Sequence, residues 1–177
     1  MMDVSSTGPG HVLLVGFMGS GKSTVARLLA LRLGRPLVDL DERVVAQAGM
    51  TIPQIFADEG EEGFRARETS ALAALADERP SVVSCGGGVC TVATNRELLA
   101  RLGTVVYLEV TVDEAISRIP DSSSRPLLSD RRGAEQLLER RRADYERCAT
   151  FSVDTSGATP EEVCAAVVAG IRRRHLV

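Results

Sequence analysis

The sequence predicts an α/β fold in which helices cover both faces of a five-stranded parallel sheet. Strand-like and helix-like segments alternate along the whole chain of 177 residues, and such alternation is typical of parallel sheets built from crossover connections. The first apolar run leads directly into a glycine-rich segment and then into a helical pattern. The length suits a single domain over residues 1–177 with a well-filled core.

Short segments rich in apolar residues predict the strands. The first is His11-Val12-Leu13-Leu14-Val15, whose β-branched character suits a buried parallel strand. A later one ends in two acids, and another follows a break at Pro80 and runs into three glycines. The predicted strands are 11–15, 35–41, 81–85, 104–110 and 151–154.

Helical periodicity fills most of the remaining chain. Thr159 is the expected N-cap of the last helix. Residues 119–130 are rich in Pro, Ser and Asp and lack periodicity, so we expect a loop there. The predicted helices are 22–33, 42–47, 52–59, 62–77, 94–102, 112–118, 131–147 and 160–173.

The composition limits the partners and cofactors of the protein. A formal net charge of −3 argues against a nucleic-acid-binding surface. The four cysteines show no CxxC spacing and have no nearby histidine, so we expect reduced thiols in a cytoplasmic protein rather than a zinc site. We recognise no signal peptide and no membrane span, and we expect a monomer.

The segment Gly16-Phe17-Met18-Gly19-Ser20-Gly21-Lys22-Ser23 matches G-x-x-x-x-G-K-[ST], the phosphate-binding P-loop. Its glycine amides are expected to form a nest for phosphate oxygens, next to the favourable end of a helix dipole. Lys22 is the only lysine of the chain; it should reach the β- and γ-phosphates of ATP and act in catalysis, while the Ser23 hydroxyl should ligate Mg²⁺. The predicted nucleotide site comprises Gly19, Ser20, Gly21, Lys22, Ser23 and Thr24.

A P-loop leaves the phosphate acceptor open. The N-K-x-D motif of GTPases is impossible, because the only lysine lies in the P-loop. Asp130-Arg131-Arg132-Gly133 matches the D-x-x-G switch in letters but follows a loop rather than a strand, and the chain is short for an ATPase motor. A small-molecule kinase remains, which needs an acceptor pocket beside the γ-phosphate and a means to exclude water.

Further motifs resemble the shikimate kinase family over nearly the full length of the chain. The resemblance implies transfer of the γ-phosphate of ATP to the 3-hydroxyl of shikimate, with an acceptor-binding region at about 40–78. In the family's order, the matching segments are 16–23, Asp39-Leu40-Asp41, Phe56, Phe64-Arg65-Ala66-Arg67-Glu68, Gly86-Gly87-Gly88, Arg125-Pro126-Leu127-Leu128, Arg142 with Tyr145, and Val153-Asp154-Thr155.

The resemblance implies that Arg65, Arg142 and Gly87 hold the shikimate carboxylate, with Gly86 and Gly88 in the same turn. Guanidinium forks and backbone N–H groups suit a carboxylate. The residues alone leave two points open, because Arg65 could lie on a solvated helix face and any arginine of 140–142 could point inward. The family match selects the arginine three residues before Tyr145.

Two aspartates and two phenylalanines complete the implied acceptor site. Asp39 and Asp41 alternate along the end of the predicted strand, so we expect them to face opposite ways. By the resemblance, Asp41 contacts the acceptor hydroxyls and is the candidate general base. Asp39 is placed nearer Mg²⁺, through water, with Ser84 as a further candidate for a metal-bound water. Helix N-capping is the alternative for both aspartates. The implied pocket walls, with core packing as the alternative, are Phe56 and Phe64.

Residues 119–130 are the expected mobile lid. On closure, Arg125 would reach the phosphates, stabilise the charge of the transferring group and help to exclude water. Arg118, at the leading hinge, matches the family position that stacks on adenine, and 156–160 match the adenine loop. The predicted fold class is therefore a P-loop three-layer α/β/α sandwich with a mobile lid.

Two alternatives stay open from the sequence. A related kinase could use gluconate, a nucleoside monophosphate or an amino-substituted shikimate as its acceptor. A P-loop protein could also bind ATP without turnover and serve as a regulatory or assembly module. The intact set of Lys22, Ser23, Asp41 and Arg125 argues against the second alternative.

Overall fold

A computed structural model describes residues 10–118 and 131–175. These residues form five strands and seven α-helices. The predicted lid 119–130, and with it Arg125, lies outside the described residues. The strands are β1 His11–Val15, β2 Leu37–Asp39, β3 Val82–Ser84, β4 Gly103–Glu109 and β5 Phe151–Asp154. The helices are α1 Lys22–Leu33, α2 Leu40–Ala48, α3 Ile52–Ala73, α4 Ala93–Leu102, α5 Val112–Ser117, α6 Arg131–Cys148 and α7 Pro160–His175.

The five strands form one sheet in the order β2-β3-β1-β4-β5, and every pairing is parallel. Successive side chains of a strand point to opposite faces. Leu13 and Val15 of β1 therefore pack against α2 to α6, whereas Val12 and Leu14 pack against α1 and α7. The predicted five-stranded parallel sheet with helices on both faces is confirmed.

The strand order brings three functional segments together. β3 pairs with both β1 and β2, so that Ser84 lies beside Leu14 on one side and Asp39 on the other. The carboxyl ends of parallel strands meet at one edge, where ligands of open α/β sheets bind. The P-loop after β1, the glycine turn after β3 and Asp39 at the end of β2 consequently share that edge.

The predicted strand 35–41 is too long, and this changes the geometry of its two aspartates. Asp39 is the N-cap of α2: its Oδ1 accepts hydrogen bonds from the backbone N–H groups of Asp41 and Glu42, at 3.1 and 3.2 Å. Asp41 therefore lies in the first turn of a helix rather than on a strand. The prediction that the two side chains alternate along a strand is wrong.

The predicted helices 52–59 and 62–77 are joined in the structure as α3. Gly60 interrupts the helix with φ 70° and ψ −174°, so the two predicted segments survive as two halves on either side of a bend. The final residues of the second segment, Ala74–Asp77, form a 3₁₀ turn. Within residues 10–118 and 131–175, no helix combines the length and apolar character that crossing a membrane requires.

A buried histidine ties β1 to two other segments. His11 is 5% exposed; its Nδ1 accepts a hydrogen bond from the Ser81 N–H at 3.1 Å, which leaves Nε2 to donate to the Leu75 carbonyl at 2.9 Å. The imidazole thus pairs two backbone groups at the amino-terminal edge of the sheet. Its role is structural.

Replacing His11 by leucine should destabilise the fold without altering the phosphate-binding edge. The change leaves the Ser81 N–H unpaired, whereas the Leu75 carbonyl still accepts a hydrogen bond from the Glu78 N–H at 3.1 Å. Because a buried unpaired group costs about 1–3 kcal/mol, we expect the free energy of unfolding in urea to fall by about that amount. A loss no larger than that of a surface change such as Leu31→Ala, at a side chain 78% exposed, would contradict this role.

Candidate active site

A cleft of about 450 Å³ opens at the carboxyl edge of the sheet. The P-loop, the start of α2, both halves of α3 and the glycine turn after β3 form its walls. It brings together most of the residues selected from the sequence: Gly19, Gly21, Lys22, Ser23, Thr24, Asp39, Asp41, Phe56, Phe64, Arg65, Ser84, Gly86, Gly87, Gly88 and Arg118. It also contains residues to which the sequence had given no role: Met18, Ile52, Glu68, Cys85 and Arg141.

The P-loop holds its lysine against its own backbone. Lys22 Nζ donates hydrogen bonds to the carbonyl oxygens of Gly16 and Phe17, each 2.8 Å away. Gly19 has φ 76°, and a Cβ there would lie 2.6 Å from the carbonyl oxygen of Ala115 in α5. Only glycine therefore allows the loop to pass this close to α5. The ammonium group of Lys22 is fixed at the centre of the loop.

Three oxygen-bearing side chains meet beside the P-loop. Ser23 Oγ lies 3.4 Å from Asp39 Oδ2 and 3.4 Å from Ser84 Oγ. Asp39 thus uses one oxygen to cap α2 and turns the other toward Ser23, so the capping alternative is observed and the metal-side role stays a prediction. Hydroxyl and carboxylate oxygens suit Mg²⁺, which usually keeps several waters and relies on few protein ligands. The donor set fits this ion.

Asp41 and Glu68 approach the backbone of the glycine turn. A Cβ on Gly86 would lie 2.8 Å from Asp41 Oδ1 and 2.7 Å from Glu68 Oε1. Both carboxylates therefore occupy the space that a side chain at position 86 would need. This explains the first of the three glycines as a requirement for close packing.

Arg65 lies in the cleft rather than on a solvated helix face. Its side chain is 16% exposed, and its Nη1 donates to Glu68 Oε2 at 2.8 Å. Its guanidinium carbon stands 5.3 Å from the centre of the Phe64 ring. Burial raises the pKa of Glu68, and the positive charge of Arg65 opposes that rise. Glu68 therefore orients the guanidinium from the protein side, Glu61 Oε1 accepts from its Nη2 at 3.4 Å, and the residue lines the cleft.

The two phenylalanines form one wall of the cleft. Their rings stack with centroids 4.9 Å apart. Phe64 is buried at 5% exposure, whereas Phe56 is 39% exposed. Phe64 thus belongs to both the core and the cleft wall, while Phe56 is largely a wall residue.

Helix α6 fastens the glycine turn from the far side. The Tyr145 hydroxyl and Arg141 Nη1 both donate to the carbonyl oxygen of Gly87, the latter at 3.3 Å. Burial raises the pKa of Tyr145 above its ordinary value, so the phenol remains a donor. Arg141 lines the cleft.

The structure does not place Arg142, the predicted second carboxylate ligand, in the main cleft. Arg142 faces a different pocket, together with Tyr107 and Glu109; its side chain is 48% exposed and pairs with Glu139 at 3.3 Å. Residues three and four positions apart on a helix are both neighbours, so the spacing to Tyr145 could not separate the two arginines. The rotation of α6 relative to the glycine turn places Arg141 in the cleft and Arg142 outside it.

Arg118 is anchored next to the P-loop. Its Nη1 donates to Thr155 Oγ1 at 2.9 Å and its Nη2 to the Thr155 carbonyl at 2.7 Å. It borders both the main cleft and an adjoining pocket of about 330 Å³ that contains Ser20 and Thr24. Ser20 therefore lines the adjoining pocket and not the main cleft. The adenine contact of Arg118 stays a prediction.

A comparison of two adjacent arginines of α6 tests which of them contacts the carboxylate of the acceptor. We expect Arg141→Ala to raise the KM for the acceptor about tenfold or more, because a charge-assisted carboxylate contact contributes about 1.5–3 kcal/mol. Arg142→Ala should leave that KM nearly unchanged, and neither variant should alter the KM for ATP. Steady-state kinetics with both substrates varied provides the measurement, and a larger effect at Arg142 would reverse the assignment.

The fold and the cleft define a P-loop phosphotransferase with a polar acceptor pocket beside its phosphate loop. The comparison with known proteins gives the particular family. The family model described as "Shikimate kinase" matches residues 18–172, and this chain belongs to the shikimate kinase family.

Curated and structural relatives agree with that membership. The chain is 44% identical over 166 residues to a shikimate kinase of Streptomyces coelicolor, covering 93% of this chain and 96% of the relative. It is 42% identical over 166 residues to a shikimate kinase of Geobacter metallireducens, covering 93% of each. A solved structure of shikimate kinase from Acinetobacter baumannii in complex with shikimate superposes with a TM-score of 0.90 at 36% identity, covering 97% of each chain.

Proposed function

We propose that this protein transfers the γ-phosphate of ATP to the 3-hydroxyl of shikimate, giving shikimate 3-phosphate and ADP in aromatic amino-acid biosynthesis. One observation carries the proposal: the P-loop lysine and a pocket with Asp41, Arg65 and Arg141 open into the same cleft. A small hydroxylated carboxylate matches this pocket, because guanidinium groups suit its carboxylate and Asp41 suits its hydroxyls.

The P-loop binds the nucleotide in this proposal. Backbone N–H groups of 19–24 hold the phosphate oxygens, and Lys22 stabilises the charge that spreads over the γ-phosphate during transfer. Ser23, and Asp39 through water, would hold Mg²⁺, which supplies further positive charge to the phosphates. Arg118 borders the pocket assigned to the adenine. Arg125 and the lid 119–130, outside the described residues, complete the proposed site by covering the phosphates.

The acceptor side orients the nucleophile. Arg65 and Arg141, with the backbone of the glycine turn Gly86–Gly88, hold the carboxylate, and Phe56 and Phe64 limit the position of the ring. Asp41 then contacts the 3-hydroxyl and accepts its proton as the new bond to phosphorus forms. Positioning of the two substrates supplies much of the rate in such transfers.

We further propose that the whole chain acts as one domain, as a monomer, in the cytoplasm. The four cysteines are free and buried, which suits a reducing compartment. Neither nucleic acid nor a membrane is required as a partner, since both proposed substrates are small molecules.

A coupled assay of ADP release tests the proposed function. The purified protein would be given ATP and Mg²⁺ with shikimate, gluconate, AMP or no acceptor. Of these acceptors, we expect only shikimate to produce rapid ADP release, together with an equal amount of shikimate 3-phosphate. Release that ignores shikimate, or that follows gluconate or AMP instead, would overturn the assignment of the acceptor.

A further inference from the structure

The acceptor pocket is built on both halves of a broken helix. Ile52 and Phe56 lie on the first half of α3, whereas Phe64 and Arg65 lie on the second. Gly60 separates the halves with a left-handed φ of 70°, and a Cβ at this position would contact nothing within 4 Å. Nothing packs against Gly60 itself, so contacts made elsewhere along the two halves must hold the bend.

One ion pair crosses the break on its outer side. Arg67 Nε donates to Glu59 Oε2 at 2.8 Å, and Arg67 Nη2 donates to Glu59 Oε1 at 2.7 Å. This two-point fork has a fixed planar geometry, so it restrains the relative direction of its partners as well as their separation. Arg67 follows Arg65 by two residues, which places it roughly on the opposite face of the helix from the cleft.

Gly63 makes room for this pair. A Cβ on Gly63 would overlap the side chain of Glu59, whose Oε2 would lie only 2.9 Å away. The side chain of Glu59 therefore folds back over the first turn of the second half in order to reach Arg67. A residue larger than glycine at position 63 would push Glu59 away from its partner.

We propose that the Glu59–Arg67 ion pair sets the angle between the two halves of α3 and so holds Phe56 and Phe64 at the spacing the acceptor requires. Glu59 and Arg67 are then positioning residues for the acceptor, a role that rests on the proposed function. The stacked rings of Phe56 and Phe64 cross the same break on the cleft side, so a change in the bend moves one wall of the pocket.

The test compares this pair with a second ion pair of the same chemistry. Arg43 donates to Glu78 in a fork of 2.7 and 3.0 Å at similar exposure, but that pair joins α2 to the segment after the 3₁₀ turn and does not cross the break. We expect Arg67→Ala to raise the KM for shikimate about two- to fivefold with kcat nearly unchanged, the size typical of a partly exposed pair. Arg43→Ala should leave that KM unaltered.

Two further variants separate bracing from a simple loss of charge. The exchange Glu59→Arg with Arg67→Glu should restore the KM, since the fork can form in reverse. Gly63→Ala should raise the KM as Arg67→Ala does, although alanine is normally the better helix former. The proposal would be overturned if Arg67→Ala had the KM of the native protein, or if the charge exchange failed to restore the KM. It would also be overturned if Arg43→Ala raised the KM as much as Arg67→Ala does.

A measurement without acceptor keeps this test apart from that of the proposed function. Amide hydrogen exchange of residues 52–59 in the free protein should accelerate in Arg67→Ala and Gly63→Ala but not in Arg43→Ala. Unchanged exchange in the first two variants would refute the bracing role whatever the acceptor is. If the variants showed the expected exchange pattern but the native protein did not phosphorylate shikimate, the proposed acceptor would be wrong. The role of the Glu59–Arg67 pair in holding the bend would still stand.

Discussion

Lys22→Arg keeps a positive charge in the P-loop, yet we expect it to lower kcat about 10²–10³-fold and to weaken ATP binding. The native ammonium fits between the carbonyl oxygens of Gly16 and Phe17 at 2.8 Å from each. A planar guanidinium is wider, and it has no room there without displacing the loop that must wrap the phosphates. Shape as well as charge therefore determines this position.

Lys22→Ala provides the matched variant, because it removes the charge and leaves space. We expect it to lose both turnover and ATP affinity, measured by ADP release and by calorimetric titration with a non-hydrolysable ATP analogue. Thermal unfolding of both variants controls for damage to the fold. If Lys22→Arg retained near-native turnover while Lys22→Ala did not, charge alone would be sufficient and the steric argument would fail.

Asp41→Asn should lower kcat by about 10²–10⁴-fold, the range supplied by a positioned general base. The amide has nearly the same shape as the carboxylate but cannot take up the proton of the acceptor hydroxyl. Because Asp41 contacts the acceptor side of the cleft, affinity for ATP should change little. The loss should therefore appear in kcat, with a smaller effect on the KM for ATP.

Asp39→Asn serves as the contrast, since Asp39 lies beside Ser23 and caps α2. We expect Asp39→Asn to weaken Mg²⁺ binding and so to raise the concentration of Mg²⁺ needed for the half-maximal rate. Asp41→Asn should leave that concentration unchanged. Rates measured across a Mg²⁺ titration distinguish the two aspartates. Near-native turnover in Asp41→Asn would show that Asp41 is not the general base.

Most of the fold could be predicted because its signals are local. The apolar run 11–15, the P-loop and the periodicity of 22–33 reproduce β1 and α1 at the same bounds. The strand order β2-β3-β1-β4-β5 was not predicted, since it depends on which strands pair across long crossovers. The end of 35–41 was misjudged because the Asp39 side chain starts α2 earlier than the apolar pattern indicated.

The site could be predicted in its residue types better than in its contacts. Motif spacing selected Arg65 and the glycine turn, but it could not reveal that the buried Glu68 orients Arg65. It also could not choose between Arg141 and Arg142, which are consecutive in a run of arginines. That choice depends on how α6 is rotated against Gly87, a tertiary property with no signal in the local sequence.

The crowding at Gly86 has a consequence for efforts to redirect the enzyme toward other acceptors. Any side chain there would collide with Asp41 and with Glu68, which is itself clamped by Arg65. Saturation libraries aimed at a new substrate range should therefore leave codon 86 constant. Variation is better directed at Ile52 and Phe56, which line the cleft and are not fully buried.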